Sequence, residues 1–151
     1  MTFMKLSPHF DLAEFTTSQE ATRRGIDNTP PPEAIDNLRR TANGLEGIRI
    51  LLGVPIIISS GYRSLELNRA LGSKDTSQHR TGQAVDFTAP GFGGPRHVAD
   101  RIIDAGIGYD QIILEYPNSP SGGWVHCSFV PEGARRQALF IDGSGTRPLY
   151  A

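Results

Sequence analysis

The stretch Ser-Gln-His-Arg-Thr-Gly-Gln-Ala-Val-Asp-Phe, residues 77–87, constrains this chain more than any other. It leads into what reads as an apolar strand and sets an aspartate inside it. Burying an unpaired carboxylate is strongly unfavourable. Either Asp86 faces water, or something positive sits against it. Strand alternation puts Ala84, Asp86 and Thr88 on one face and Val85 and Phe87 on the other. A later stretch, Trp-Val-His-Cys-Ser-Phe-Val at 124–130, alternates in the same way. Val125, Cys127 and Phe129 make its natural core face, which turns Trp124, His126 and Ser128 away from the core. If the two strands share a sheet, Asp86 and His126 can meet. His79, in the loop leading into the first strand, can close over both.

Two imidazoles and one carboxylate suit a zinc ion whose fourth position is left to water. Such an ion supplies the positive charge that Asp86 needs. Spacing alone equally allows a solvated aspartate and two structural histidines. His9, beside a proline, and His97, in the first turn of a predicted helix, read as surface or capping side chains.

The rest of the chain supplies a frame. After the triple proline at 30–32, Ile35, Leu38, Ala42, Leu45, Ile48 and Leu52 recur at spacings of three and four. That is one apolar helical stripe, with Gly53 as its stop. Gly44 and Gly47 each disfavour a helix interior by roughly 1 kcal/mol, so packing must hold it. The β-branched run Ile56–Ile58 predicts a buried strand. A short helix follows, with Ser64 as N-cap and Gly72 as stop. Another starts at Pro95 and ends at Gly106. Residues 109–116 predict a strand, joined to the strand at 124–130 as an antiparallel hairpin. From Pro131 on, the turn-rich tail is expected to wrap the surface. The order predicts an α+β fold, with helices packed on a small, mostly antiparallel sheet.

At 151 residues the chain suits one domain, 1–151. A net charge of −1 and the absence of basic runs give no pull toward nucleic acid. No apolar run approaches a membrane span. A single cysteine, Cys127, excludes an intramolecular disulfide and a thiolate metal cluster; it is expected to be a small core residue. The first fifteen residues do not read as a secretory signal, so synthesis in the cytoplasm is expected.

The motif carries a resemblance. Residues 77–86 resemble the Ser-x-His-x-x-Gly-x-Ala-x-Asp signature of the M15 zinc peptidases: D-Ala-D-Ala carboxypeptidases, dipeptidases, and phage endolysins that cut peptidoglycan stem peptides. Residues 124–129, Trp-Val-His-Cys-Ser-Phe, look like that family's second histidine segment. Residues 56–68, Ile-Ile-Ile-Ser-Ser-Gly-Tyr-Arg-Ser-Leu-Glu-Leu-Asn, are similar to its upstream segment. The blocks fall in family order and span about residues 33–130. The resemblance implies a Hedgehog/DD-peptidase-like fold, one Zn2+ ion held by His79, Asp86 and His126, and a stem-peptide substrate. It also implies contacts from Arg63 and Ser77 to substrate carboxylate or carbonyl groups. A guanidinium fork suits a carboxylate, whereas Ser77 equally suits a loop cap. Tyr62 and Trp124 are candidates to shape the groove, although aromatic residues here equally suit core or rim.

One position departs from the pattern. Many relatives carry a catalytic Asp or Glu three residues before the second histidine, where this chain has Gly123. The best candidate for the base is Glu115, which shares a strand face with Gln111 and Ile113; Asp110 and Glu132 are weaker ones. The resemblance, taken with the absence of a secretory signal in the first fifteen residues, implies a phage or prophage lysin, expected to be a monomer, acting on the cell wall after release by a holin or from a virion. The alternative is a catalytically inactive zinc-bearing binding or structural domain.

Overall fold

A computed structural model describes residues 4–150. The chain opens with a two-stranded antiparallel ribbon, β1 (Lys5–Ser7) and β2 (Phe10–Asp11). Two short helices follow, α1 (Leu12–Thr16) and α2 (Gln19–Arg24). The long helix α3 (Pro32–Leu52) buries the predicted stripe, with Ile35 left half-buried. Proline in its first turn sacrifices no helical hydrogen bond. Gly53, at φ 70°, ends the helix by donating its N–H to the Arg49 carbonyl at 2.9 Å. Gly44 has a packing reason: a Cβ there would lie 2.5 Å from the Phe129 ring, so only glycine lets that ring seat on the helix.

Next come β3 (Ile57–Ser60), α4 (Leu65–Ala70), a 3-10 turn (Gln78–Thr81) and β4 (Ala84–Thr88). Then α5 (Pro95–Asp104) leads to β5 (Gln111–Glu115) and β6 (Trp124–Ser128). The chain closes with β7 (Gln137–Asp142) and β8 (Gly145–Pro148). Ser64 caps α4 as expected, its hydroxyl accepting the Leu67 N–H. Six strands form one sheet in the order β3-β4-β6-β5-β7-β8. Its pairings are antiparallel except β5–β7. The fold is α+β, and the sheet is mostly antiparallel as predicted.

Three expectations change. First, the Ile56–Ile58 run does not form a buried strand. β3 lies at the sheet edge with no strand beyond it among the described residues, and Ile57 is 54% exposed. Second, the tail does not merely wrap the surface: β7 and β8 extend the sheet past β5. The β5–β7 pairing is parallel, so no hairpin turn signals it in the sequence. Third, the sequence reading assigned nothing before residue 33, where the ribbon and two helices stand.

The core lies between the helices and one face of the sheet. α5 packs on β5 and β6, and α3 packs on α5, β1 and the 3-10 turn. Val85, Phe87, Val125 and Cys127 enter that core from the sheet. Each such apolar side chain contributes about 2 kcal/mol by leaving water. The opposite sheet face is left to Asp86, His126 and Glu115. No helix among the described residues is long and apolar enough to cross a membrane.

Candidate metal centre

β4 and β6 are direct neighbours, and their register sets Asp86 opposite His126. The alternation that buries Val85 and Cys127 on one face makes these two meet on the other. His126 Nδ1 lies 2.9 Å from Asp86 Oδ1.

His79 arrives from the 3-10 turn. The Ser77 hydroxyl caps that turn by accepting the His79 N–H at 3.2 Å. Gly82 ends it at φ 80°, where a Cβ would come within 2.7 Å of the Ala34 carbonyl oxygen of α3. From the same helix, Thr41 donates to the Gly82 carbonyl at 2.7 Å and Asn37 to the Thr81 carbonyl at 2.9 Å. The turn is thus pinned to α3 from behind. The ring's Nδ1 lies 2.7 Å from the Gly61 carbonyl oxygen, which only accepts. Nδ1 therefore carries the proton, and Nε2 turns its lone pair toward Asp86 Oδ1, 3.3 Å away.

The ligand-type atoms of His79, Asp86 and His126 all lie within 4.8 Å of one another, and all three residues are buried. Two atoms that each bind zinc at about 2.0–2.1 Å and the tetrahedral angle lie about 3.3 Å apart. The 3.3 Å and 2.9 Å separations here suit a shared cation. A ring nitrogen donating to a backbone carbonyl is the support that a ligating histidine needs. The donor set therefore fits a zinc-type ion.

Burial alone would raise the Asp86 carboxyl, but charge and hydrogen bonding from His79 and His126 hold it far below the carboxylate range. Burial pushes the His79 imidazole down, toward the neutral ring a metal requires. It opposes protonation of His126 too, but the hydrogen bond and charge of Asp86, with Glu115, outweigh it and hold that ring up.

Glu115 pairs with Trp124 across the β5–β6 hairpin, and its carboxylate accepts the Trp124 indole N–H. Burial raises its carboxyl above the usual range, and the nearby negative charge of Asp86 adds to this. Glu115, Trp124 and Ser77 line one cavity of about 470 Å³ with His79, Asp86 and His126. Gly123 stands at φ 74° in the hairpin loop.

Arg63 reaches the same cavity, yet each of its nitrogens already faces an internal partner. Nε donates to Ser60 at 3.1 Å, Nη1 donates to Ser73 at 3.1 Å, and Nη2 lies 3.5 Å from Asp86 Oδ2. Two of its five N–H groups are thus hydrogen-bonded and Nη2 is ion-paired with Asp86, which leaves three N–H groups without a hydrogen bond. Tyr62 does not line this cavity but borders the neighbouring one along β3, which shares Arg63 and Leu71 with it. It is buried in the apolar core, because its backbone N–H ties it to the Phe15 carbonyl of α1.

The weaker base candidates lie elsewhere. Asp110 is buried in an ion pair with Arg135, and Glu132 is exposed. His9 pairs with Glu46 and His97 is exposed, consistent with surface roles. The sequence reading missed Gly61, Ser60 and Ser73, which orient His79 and Arg63. A backbone carbonyl and two common hydroxyls carry no signal of their own. Tyr116, stacked against Trp124 with ring centroids 5.6 Å apart, was missed as well.

A family model described as Peptidase M15 matches residues 8–127. No curated protein matches the chain.

Proposed function

The chain belongs to the peptidase M15 family of metallopeptidases, and from that premise we propose that it is a zinc-dependent hydrolase of peptidoglycan stem peptides, with one ion held by His79, Asp86 and His126. The observation that carries the reading is the Glu115 carboxylate, in one cavity with that ligand set and raised by burial. When bound, zinc supplies a Lewis acid that polarises a carbonyl and acidifies water.

The protein's own groups do the rest. Glu115 is the general base at its carboxylate oxygens. It takes a proton from water and returns it to the leaving amine. A raised carboxyl holds that proton better than an ordinary one. The Trp124 indole N–H fixes the carboxylate, and a fixed base loses little freedom as the reaction proceeds. Arg63 steadies Asp86, and N–H groups it leaves unbonded meet a substrate carbonyl oxygen. Ser77 borders the cavity and holds the turn that presents His79. A D-Ala-D-Ala carboxypeptidase and an L-Ala-D-Glu endopeptidase both fit this chemistry. The proposal extends to a monomeric phage or prophage lysin, on the strength of the motif resemblance.

The test is digestion of purified peptidoglycan by wild type and Glu115→Gln, read by mass spectrometry with bound zinc measured for both. New peptide termini from wild type alone, at equal zinc, support the reading. Equal digestion by both moves the base elsewhere. No digestion by either, with one zinc bound, favours the alternative of a zinc-bearing binding domain.

A further inference from the structure

Asp110 is a carboxylate that the chemistry above leaves unused, and it is only 3% exposed. It stands just ahead of β5, and its backbone N–H donates at 2.8 Å to the carbonyl of Ser128, the last residue of β6. Its two oxygens gather donors from distant parts of the chain. Oδ1 accepts the Arg135 backbone N–H at 2.8 Å and Arg135 Nε at 3.1 Å. Oδ2 accepts Arg135 Nη2 at 2.7 Å and Gln78 Nε2 at 2.9 Å. Arg135 Nη2 also donates to Gln78 Oε1 at 3.4 Å. These partners fix the Gln78 amide, since its NH2 must face the carboxylate and its oxygen the guanidinium.

Gln78 is the residue before His79, and His126 stands two residues before Ser128. The path from Gln78 through Asp110 to Ser128 therefore ties together the segments that carry the two histidines, and neither imidazole takes part in it. It reaches the 3-10 turn from the sheet, whereas Asn37 and Thr41 hold that turn from α3.

The sheet itself does not need this contact. The Arg135 ion pair already compensates the buried carboxylate, and the Gln137 N–H already ties the start of β7 to the Asp110 carbonyl at 3.0 Å. What the Gln78 side chain adds is a tether on a turn of four residues. A metal tolerates errors of only about 0.2 Å in its bond lengths, so a turn held from one side alone presents His79 poorly.

We propose that Gln78 and Asp110 are positioning residues for the metal: through their hydrogen bond, the start of β5 sets where the His79 ring stands relative to His126. This rests on the reading of His79, Asp86 and His126 as the ligands.

The test uses the full chain, freed of metal with a chelator. Zinc affinity is measured by competition with a chromophoric chelator, and Co2+ is bound in place of zinc to give a visible spectrum that reports ligand geometry. Gln78→Met keeps the reach of the side chain and removes both hydrogen bonds. It is expected to weaken zinc binding about tenfold, the low end of the range for groups that orient ligands, and to shift the cobalt bands. Asp110→Asn turns one acceptor into a donor and is expected to weaken zinc by a similar factor, which keeps the inference testable if one variant folds poorly. Because both act through one contact, the double variant is expected to bind no more weakly than the worse single variant. Ser18→Ala removes the α2 cap, outside the metal cavity, and is expected to change neither readout. Wild-type affinity in Gln78→Met, an equal loss in Ser18→Ala, or losses that multiply in the double variant overturns the inference and leaves the metal site standing. Wild type that binds no zinc overturns the ligand reading, and the inference with it.

Discussion

A Cβ at Gly123 would press on the Glu115 carbonyl oxygen and lie 2.6 Å from the carbonyl carbon and oxygen of Tyr116. The residue also sits at φ 74°, in the left-handed region. For Gly123→Ala, the left-handed conformation disfavours a side chain by about 1–2 kcal/mol. The backbone contacts add about 1–3 kcal/mol of overpacking strain. The sum, about 2–5 kcal/mol, corresponds to a fall in Tm of roughly 5–15 °C for a chain of this size. Scanning calorimetry on wild type and Gly123→Ala measures it. On the proposal that Glu115 is the base, the same geometry bears on catalysis: an aspartate at 123 has no room in this hairpin. Gly123→Asp placed on Glu115→Gln is therefore expected to restore no activity. A Tm within a degree of wild type for Gly123→Ala, or rescue by the double variant, refutes the argument that position 123 cannot carry the base.

Further outcomes follow from other residues. Arg135 holds the Asp110 carboxyl down at about 2, against 3.8 in the unfolded chain. A depressed carboxyl stabilises the fold above the unfolded value, and that stability is lost as pH falls from about 4 toward 2. With Arg135 half exposed, about 1–2 kcal/mol is expected. The stability gap between wild type and Asp110→Asn in urea should therefore close over that interval; a gap independent of pH contradicts this. Zinc added to the chelator-treated chain is expected to raise Tm by mass action, and to raise it much less in Asp86→Asn, as differential scanning fluorimetry would show. Cys127 is fully buried, and burial pushes its thiol well up; alkylation should proceed only as fast as the chain unfolds. Ser18→Ala removes the α2 cap, whose hydroxyl accepts the Ala21 N–H, and is expected to reduce stability by about 1 kcal/mol in denaturant titration.

The parts legible in the sequence were those with a local pattern. Alternation put Asp86 and His126 on one face, and the hairpin put Glu115 near them. The α3 stripe and its Gly53 stop needed only helical spacing. What stayed illegible depends on distant partners. Ile57 belongs to an apolar run whether its strand is central or at an edge, and only the sheet order decides. β7 finds β5 in parallel, without a turn to announce it. Arg63 reads as a free fork until Ser60, Ser73 and Asp86 close around it. The ribbon strands at the N-terminus span three and two residues, too few for periodicity to register.

The pinning of the His79 turn to α3 divides the site into two materials. The ligands stand on β4, β6 and a turn fastened by Asn37, Thr41 and the close approach of Gly82 to Ala34. The rim is different: residues 116–122, joining β5 to β6, stand outside that fastening. Substitutions at the exposed positions of this loop, Tyr116 among them, can reshape the mouth of the cavity while leaving the ligand residues in place. A lineage built on this chain can therefore change its diet while leaving its chemistry alone.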